Sequence, residues 1–143
     1  MREVRDEIEI DAPPDRVWAV LTDFDSYPEW NPFVKRISGR AETGAKLEVR
    51  VVPPGKRGMG FKPTVTAAEP RRELAWLGRV LAPGIFDGDH HFELEELSGG
   101  RTRFVQREVF KGVLAPVLGG TLKNTLEGFR QMNQALKRRV ETG

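Results

Sequence analysis

The stretch "LGGTLKNTLEGFRQMNQALKRRV", Leu118 to Val140, decides the fold. Leu118, Leu122, Leu126, Phe129, Met132, Leu136 and Val140 recur at spacings of four and three, which at 100° per residue puts them on one stripe. The spacing predicts a long one-sided helix from about Pro116 to Arg139. Thr121, Thr125 and Asn133 fall on or beside that stripe, where a purely structural core face would not require them. Lys137, Arg138 and Arg139 sit near its end, where positive side chains complement the helix dipole. The pair Gly119-Gly120 weakens a helix by about 1 kcal/mol per residue relative to alanine. It marks either a late start at about Thr121 or a break that gates a cavity mouth opposite the loop at Pro53 to Gly60.

Such a helix needs a surface to cover, and the rest of the chain supplies strands. In "REVRDEIEID", residues 2–11, Val4, Ile8 and Ile10 share one parity, the period-2 signature of a half-buried strand. The period then changes: Val17, Leu21 and Phe24 fall at i, i+4 and i+7 behind Pro13-Pro14, which predicts a helix of about nine residues. A second short turn carries Tyr27 and Trp30 until Pro32 ends it. Beyond it, "FVKRIS", "KLEVRVV", "FKPTVTAAE", "RELAWLGRVL", "IFDGDHHFELEEL" and "RTRFVQREVF" alternate, separated by turn residues that include Pro83-Gly84 and Ser98-Gly99-Gly100. Connections this short imply sequential antiparallel hairpins. The inferred architecture is α+β: a curved antiparallel sheet of about seven strands around the C-terminal helix, with two short helices after the first strand.

Composition narrows the function classes. At 143 residues the chain suits one domain, 1–143, that buries a core without staples. Cysteine is absent, so disulfides and thiolate chemistry are unavailable, which fits a cytoplasmic setting. No segment approaches the roughly 18 apolar residues of a membrane span, so stable membrane insertion is not expected. Twenty-three basic against 21 acidic residues leave a net charge of +2, too weak a field for a nucleic-acid binder.

The segment "DFDSYPEWNPFV", Asp23 to Val34, packs four aromatic residues and two prolines into what should be a connection. Loops usually carry small polar residues. It is therefore either a plug that closes the core or part of a cavity wall.

Taken together, "DAPPDRVWAVLTDFDSYPEWNPFV", "LAWLGRVLAPGIFDGDHHFELEEL", "GGRTRFVQREVFKGVL" and the final helix resemble the helix-grip fold of the START-like superfamily. Within it the chain is similar to the polyketide cyclase/dehydrase-type (SRPBCC) branch, over essentially its whole length. Members of that superfamily include polyketide cyclases and aromatases, lipid and steroid carriers, plant ligand-binding allergens and chaperone activators. The resemblance implies a cavity between sheet and long helix, with Tyr27, Trp30, Asn31, Pro32 and Phe33 at its rim.

Parity then selects the inward polar groups. In "RTRFVQREVF", Arg101, Arg103 and Arg107 face water, so Thr102, Phe104, Gln106, Glu108 and Phe110 face the helix. In "DHHFELEEL", Phe92 and Leu94 turn His90 inward and His91 outward. A three-residue or bulged turn at Ser98 to Gly100 would bring His90 near Glu108 on the same face. A histidine next to a carboxylate suits a general base with its orienting partner, or equally a hydrogen bond that satisfies two buried polar groups. Trp76 lines cavity or core, and Gly88 is expected at a bulge.

Other chemistries lack their residues. His90 and His91 point to opposite faces and no cysteine can help, so no metal site is expected. "GKRGMG" at Gly55 to Gly60 has neither the spacing nor the following helix of a phosphate loop. No G-x-S-x-G elbow occurs.

The expected function is binding of a small hydrophobic ligand, a lipid, polyketide or aromatic metabolite, without cofactor. Its walls would include Leu122, Thr125, Leu126, Phe129 and Asn133 with Phe92, Phe104 and Gln106. The alternatives are a cyclase, aromatase or dehydratase in which His90 and Glu108 move protons, and a protein-interaction domain with a collapsed cavity and an unknown partner.

Overall fold

Alternation at the start of the chain becomes the nine-residue strand β1 (Arg2–Ile10), which buries Val4 and Ile10. The change of period at the two prolines becomes α1 (Pro14–Thr22), with Pro14 in its first turn and Val17 and Leu21 buried. A 3-10 turn (Phe24–Ser26) leads directly into α2 (Tyr27–Trp30). Asn31 then reverses the chain: its Oδ1 accepts the backbone N–H groups of Phe33 and Val34, each at 2.9 Å. The computed structural model describes residues 2–80, 86–112 and 119–143. The turn expected at Pro83-Gly84, and residues 113–118 ahead of the long helix, lie outside them.

The remaining strands are β2 (Val34–Ser38), β3 (Glu48–Val51), β4 (Met59–Phe61), β5 (Thr64–Glu69), β6 (Glu73–Val80), β7 (Phe86–Leu97) and β8 (Arg101–Lys111). Every pairing is antiparallel, in a five-stranded sheet ordered β1-β8-β7-β6-β5 and a three-stranded sheet ordered β2-β3-β4. About seven strands were expected, and the described residues hold eight. The segment expected as one strand is divided into β4 and β5 around Pro63, which has no N–H to give a ladder. The sheets stay laced there: Leu47 N–H donates to the Pro63 carbonyl at 2.9 Å, and Val65 N–H to the Ala45 carbonyl at 2.8 Å.

The turn Ser98–Gly99–Gly100 has three residues, with Gly99 and Gly100 at φ of 78° and 73°. Its length keeps β7 and β8 in register, so His90 lies opposite Glu108 and Phe92 opposite Gln106. The bulge expected at Gly88 is absent: it pairs regularly with Gly78 on one side and Phe110 on the other. Its missing side chain serves a different end, described below.

The long helix is α3 (Gly119–Thr142), and it packs chiefly on β1 and α1. Phe129, Met132, Leu136 and Val140 are buried along the stripe that the sequence marks out. A start at Thr121 is not what occurs, since Gly119 and Gly120 are both helical. Tertiary packing of a long amphipathic face outweighs the local cost of two glycines. At the other end Lys137 Nζ donates to the Glu9 carbonyl at 2.9 Å, and the Glu141 carboxylate accepts the Asp11 N–H at 2.8 Å. The last turn is thereby tied to the end of β1. No helix among the described residues is long and apolar enough to cross a membrane.

Candidate functional site

Five elements bring their inward side chains together between the five-stranded sheet and α3. His90, on β7, is 4% exposed. Its Nε2 lies 3.0 Å from Gln106 Oε1 on β8, and its Nδ1 lies 3.4 Å from Glu108 Oε1 on the same strand. Gln106 Nε2 donates to Asn133 Oδ1 of α3 at 2.8 Å, and Asn133 Nδ2 donates to Asp6 Oδ2 of β1 at 3.0 Å. Arg130 Nε stands 3.9 Å from the other Asp6 oxygen. A continuous polar line thus runs Glu108, His90, Gln106, Asn133, Asp6. Gln106 and Asn133 are fully buried, and the line gives each of them its partners.

Aromatic rings enclose the histidine. Trp76 of β6 stacks on it at 5.1 Å between centroids and 26° between planes, and Phe129 of α3 meets it edge-on at 5.2 Å. Phe92 lies 4.6 Å away and stacks in turn on Phe104. A polar line inside apolar walls is strengthened by the low dielectric around it.

The two directly paired glycines of β6 and β7 open space beside this line. A Cβ on Gly88 would stand 2.5 Å from Glu108 Oε2, so the absence of a side chain is what lets the carboxyl group lie there. Over Gly78 the space is taken by the ring of Phe61, 3.4 Å from where a Cβ would be. Phe61 also belongs to a cleft of about 780 Å3. Ile37, Val49 and Phe61, cross-strand neighbours on β2, β3 and β4, form an apolar row facing Phe24 and Pro28. Charged groups that include Arg36, Arg50 and Lys62 also line this cleft. His90, Gln106 and Asn133 do not line it.

On the outer face, Glu73, His91 and Glu93 bring one ligand atom each within 4.8 Å of one another, a geometry open to a metal ion among the described residues. Each of the three already has a partner within the protein. His91 Nδ1 is 2.6 Å from Glu73 and Nε2 is 2.9 Å from Asp89, while Arg107 pairs with Glu93 at 3.1 Å.

The sequence profile of the family described as "Polyketide cyclase / dehydrase and lipid transport" matches residues 1–141. The chain belongs to that family. Solved structures agree with the polyketide cyclase/dehydrase fold. A START superfamily protein from Mycobacterium smegmatis superimposes with TM-score 0.78 at 19% identity, covering 98% of this chain and 97% of that one. The Zhui aromatase/cyclase from Streptomyces sp. R1128 gives 0.75 at 19% identity, with 98% and 93% covered. DynU16, a putative protein in the dynemicin biosynthetic locus, gives 0.73 at 26% identity, with 99% of this chain but 48% of that one covered. No curated protein matches the chain.

Within this member of the polyketide cyclase/dehydrase family, residues expected around one cavity fall into separate groups. His90, Glu108, Gln106, Asn133, Trp76, Phe92, Phe104 and Phe129 converge as described. Leu122 and Leu126 are partly buried against the core, and Thr125 is buried. Tyr27, expected at a rim, is fully buried, and its hydroxyl donates to the Leu21 carbonyl at 2.5 Å. Burial, reinforced by Asp23, pushes its phenol far above the ordinary tyrosine range. Trp30 packs edge-on against Tyr27, and buried Asn31 spends its Oδ1 on the turn into β2. Phe33 reaches across to α3, where its ring meets Phe129 edge-on at 5.7 Å.

Asp6, Arg130 and Phe61 escaped the sequence reading. A signal for Asp6 was present: it shares the parity of Val4, Ile8 and Ile10, which makes it a carboxylate on an inward row. Alternation in "FKPTVTAAE" puts Phe61 on one face with Val65 and Ala67, but its place over Gly78 depends on a glycine seventeen positions along the chain.

Proposed function

We propose that this protein binds a small, mostly apolar molecule, a lipid, polyketide or aromatic metabolite, between the curved sheet and α3. The observation that carries this reading is the buried polar line from Glu108 to Asp6 set among Trp76, Phe92 and Phe129. Few polar groups inside apolar walls are how such sites orient a ligand. The ligand's apolar part would occupy the row Ile37, Val49 and Phe61. Displacement of the Phe61 ring would expose the Gly78–Gly88 strip and, beyond it, Glu108 and His90. Family membership supports the reading, since its description names lipid transport beside cyclase and dehydrase activity.

A second reading is favoured by one contact, His90 Nδ1 to Glu108 at 3.4 Å. A cyclase or dehydratase would use that pair to move protons while the walls fold the substrate. Native mass spectrometry of gently purified protein, followed by denaturing extraction, tests the first reading. A stoichiometric small molecule supports it, and a clean apo mass with no binding of apolar fluorescent probes refutes it. Where a ligand is found, His90→Ala and Glu108→Gln separate the two: a carrier loses affinity, whereas an enzyme loses turnover with affinity kept within a few-fold.

A further inference from the structure

We infer that the interior site receives a hydrogen-bond donor, a phenol or alcohol on an apolar frame, and that Asp6 imposes this preference from the far end of the polar line. This inference rests on the ligand-binding reading above. Its basis is direction. A carboxylate can only accept, so Asn133 must turn its NH2 group to Asp6, as the 3.0 Å contact has it. That leaves the Asn133 oxygen for Gln106, whose NH2 group donates to it at 2.8 Å. Gln106 is then obliged to present its own oxygen to His90 at 3.0 Å. A carbonyl oxygen only accepts, so Nε2 of His90 carries a hydrogen. Each amide passes the orientation on, and Asp6 sets it.

The consequence falls on the other ring nitrogen. Where the imidazole is neutral and Glu108 is a carboxylate, hydrogen on Nε2 leaves a lone pair on Nδ1, and what faces it 3.4 Å away is Glu108 Oε1, a second acceptor. Around the ring itself the described contacts are aromatic, from Trp76, Phe92 and Phe129. Two acceptors side by side are satisfied by a group that brings hydrogen. A hydroxyl does so, and it can bond to Nδ1 or to Glu108. An ether or ketone adds a third acceptor, and a carboxylate adds a second negative charge beside Glu108. The site is therefore selective by the sign of the hydrogen bond, which shape alone would not provide.

Two measurements on the intact protein test this. In the first, the two histidines are labelled with 15N and distinguished by His90→Gln, and long-range 1H–15N correlation at pH 8 identifies the tautomer. Hydrogen on Nε2 alone is expected. In Asp6→Asn the terminal group can donate as well as accept, so a second, Nδ1–H population should emerge. A merely structural role for Asp6 would leave the tautomer unchanged.

In the second, tryptophan quenching follows binding of 2-naphthol, 2-methoxynaphthalene and naphthalene. At least about tenfold tighter binding of 2-naphthol than of its methyl ether is expected, shrinking toward parity in Asp6→Asn. Equal affinities for the three probes, or a hydrogen on Nδ1 in the wild type, would overturn the inference while leaving ligand binding intact. Failure of all three to bind overturns the ligand-binding reading and the donor preference with it, even where the Nε2–H form is seen.

Discussion

The ring of Phe33 lies so close to Gly128 that a methyl group on that glycine would overlap its Cδ1 and Cε1 atoms. A glycine in mid-helix costs about 1 kcal/mol relative to alanine, yet here it admits the aromatic anchor by which the loop after α2 docks on α3. Gly128→Ala should therefore destabilise despite better helix propensity. The expected loss is about 1–3 kcal/mol, the range for overpacking, read from urea unfolding midpoints. An increase in stability would mean that Phe33 is free to move aside.

Tyr27 is the chain's single tyrosine, so its ionisation can be followed without interference from another phenol. Its folded-state value is raised by burial and by Asp23. The unfolded chain releases the proton near pH 10 while the folded chain keeps it, so the unfolded state binds fewer protons and stability falls as pH rises beyond about 10. The slope approaches about 1.4 kcal/mol per pH unit. Absorbance at 295 nm should show no tyrosinate until the protein unfolds, and Tyr27→Phe should remove this part of the alkaline slope. Tyrosinate that forms while far-UV circular dichroism stays native would contradict the buried hydroxyl.

Asn133→Ala removes the middle of the polar line. It leaves the Gln106 NH2 group and an Asp6 oxygen without their partners. The expected cost is about 1–3 kcal/mol, measured by thermal or chemical unfolding. A change within experimental error would show that water replaces the amide, and that the line is not a closed protein network.

Gly88→Ala should separate stability from binding. The new methyl meets the far end of a flexible side chain, Glu108, which can swing away. Unfolding free energy should change by no more than about 1 kcal/mol, while contact with His90 is lost. Affinity for any ligand held by Glu108 should then fall toward that of Glu108→Gln, by titration calorimetry. Unchanged affinity would remove Glu108 from the site.

Much of this was legible because it depends on period. The stripe Leu122 to Val140 specifies a helix and its buried face, and alternation in β7 and β8 with a three-residue turn places His90 beside Glu108. The rest depends on contacts between elements far apart in sequence. That Tyr27 turns its hydroxyl back to Leu21 follows from how the 3-10 turn folds over α1, which no parity rule describes. Asp6 lay on an inward row, but its partner comes from a residue 127 positions away. The strand break at Pro63 was readable in principle, since proline is confined to edges and interruptions of a ladder. It was hidden by the alternation that continues on either side.

That interruption also determines what kind of container the fold makes. A sheet whose ladder ran unbroken from β3 through β6 would have its bend distributed by gradual twist. Here a residue with no hydrogen to give stands between β4 and β5, where the two sheets meet, and the row Ile37, Val49, Phe61 belongs to the three-stranded sheet while Trp76 and His90 belong to the five-stranded one. The junction between two walls is thus made by backbone, and the side chains on each wall choose only what the space between them will hold. Exchanging those side chains retunes the contents, whereas a residue able to donate at position 63 would alter the vessel.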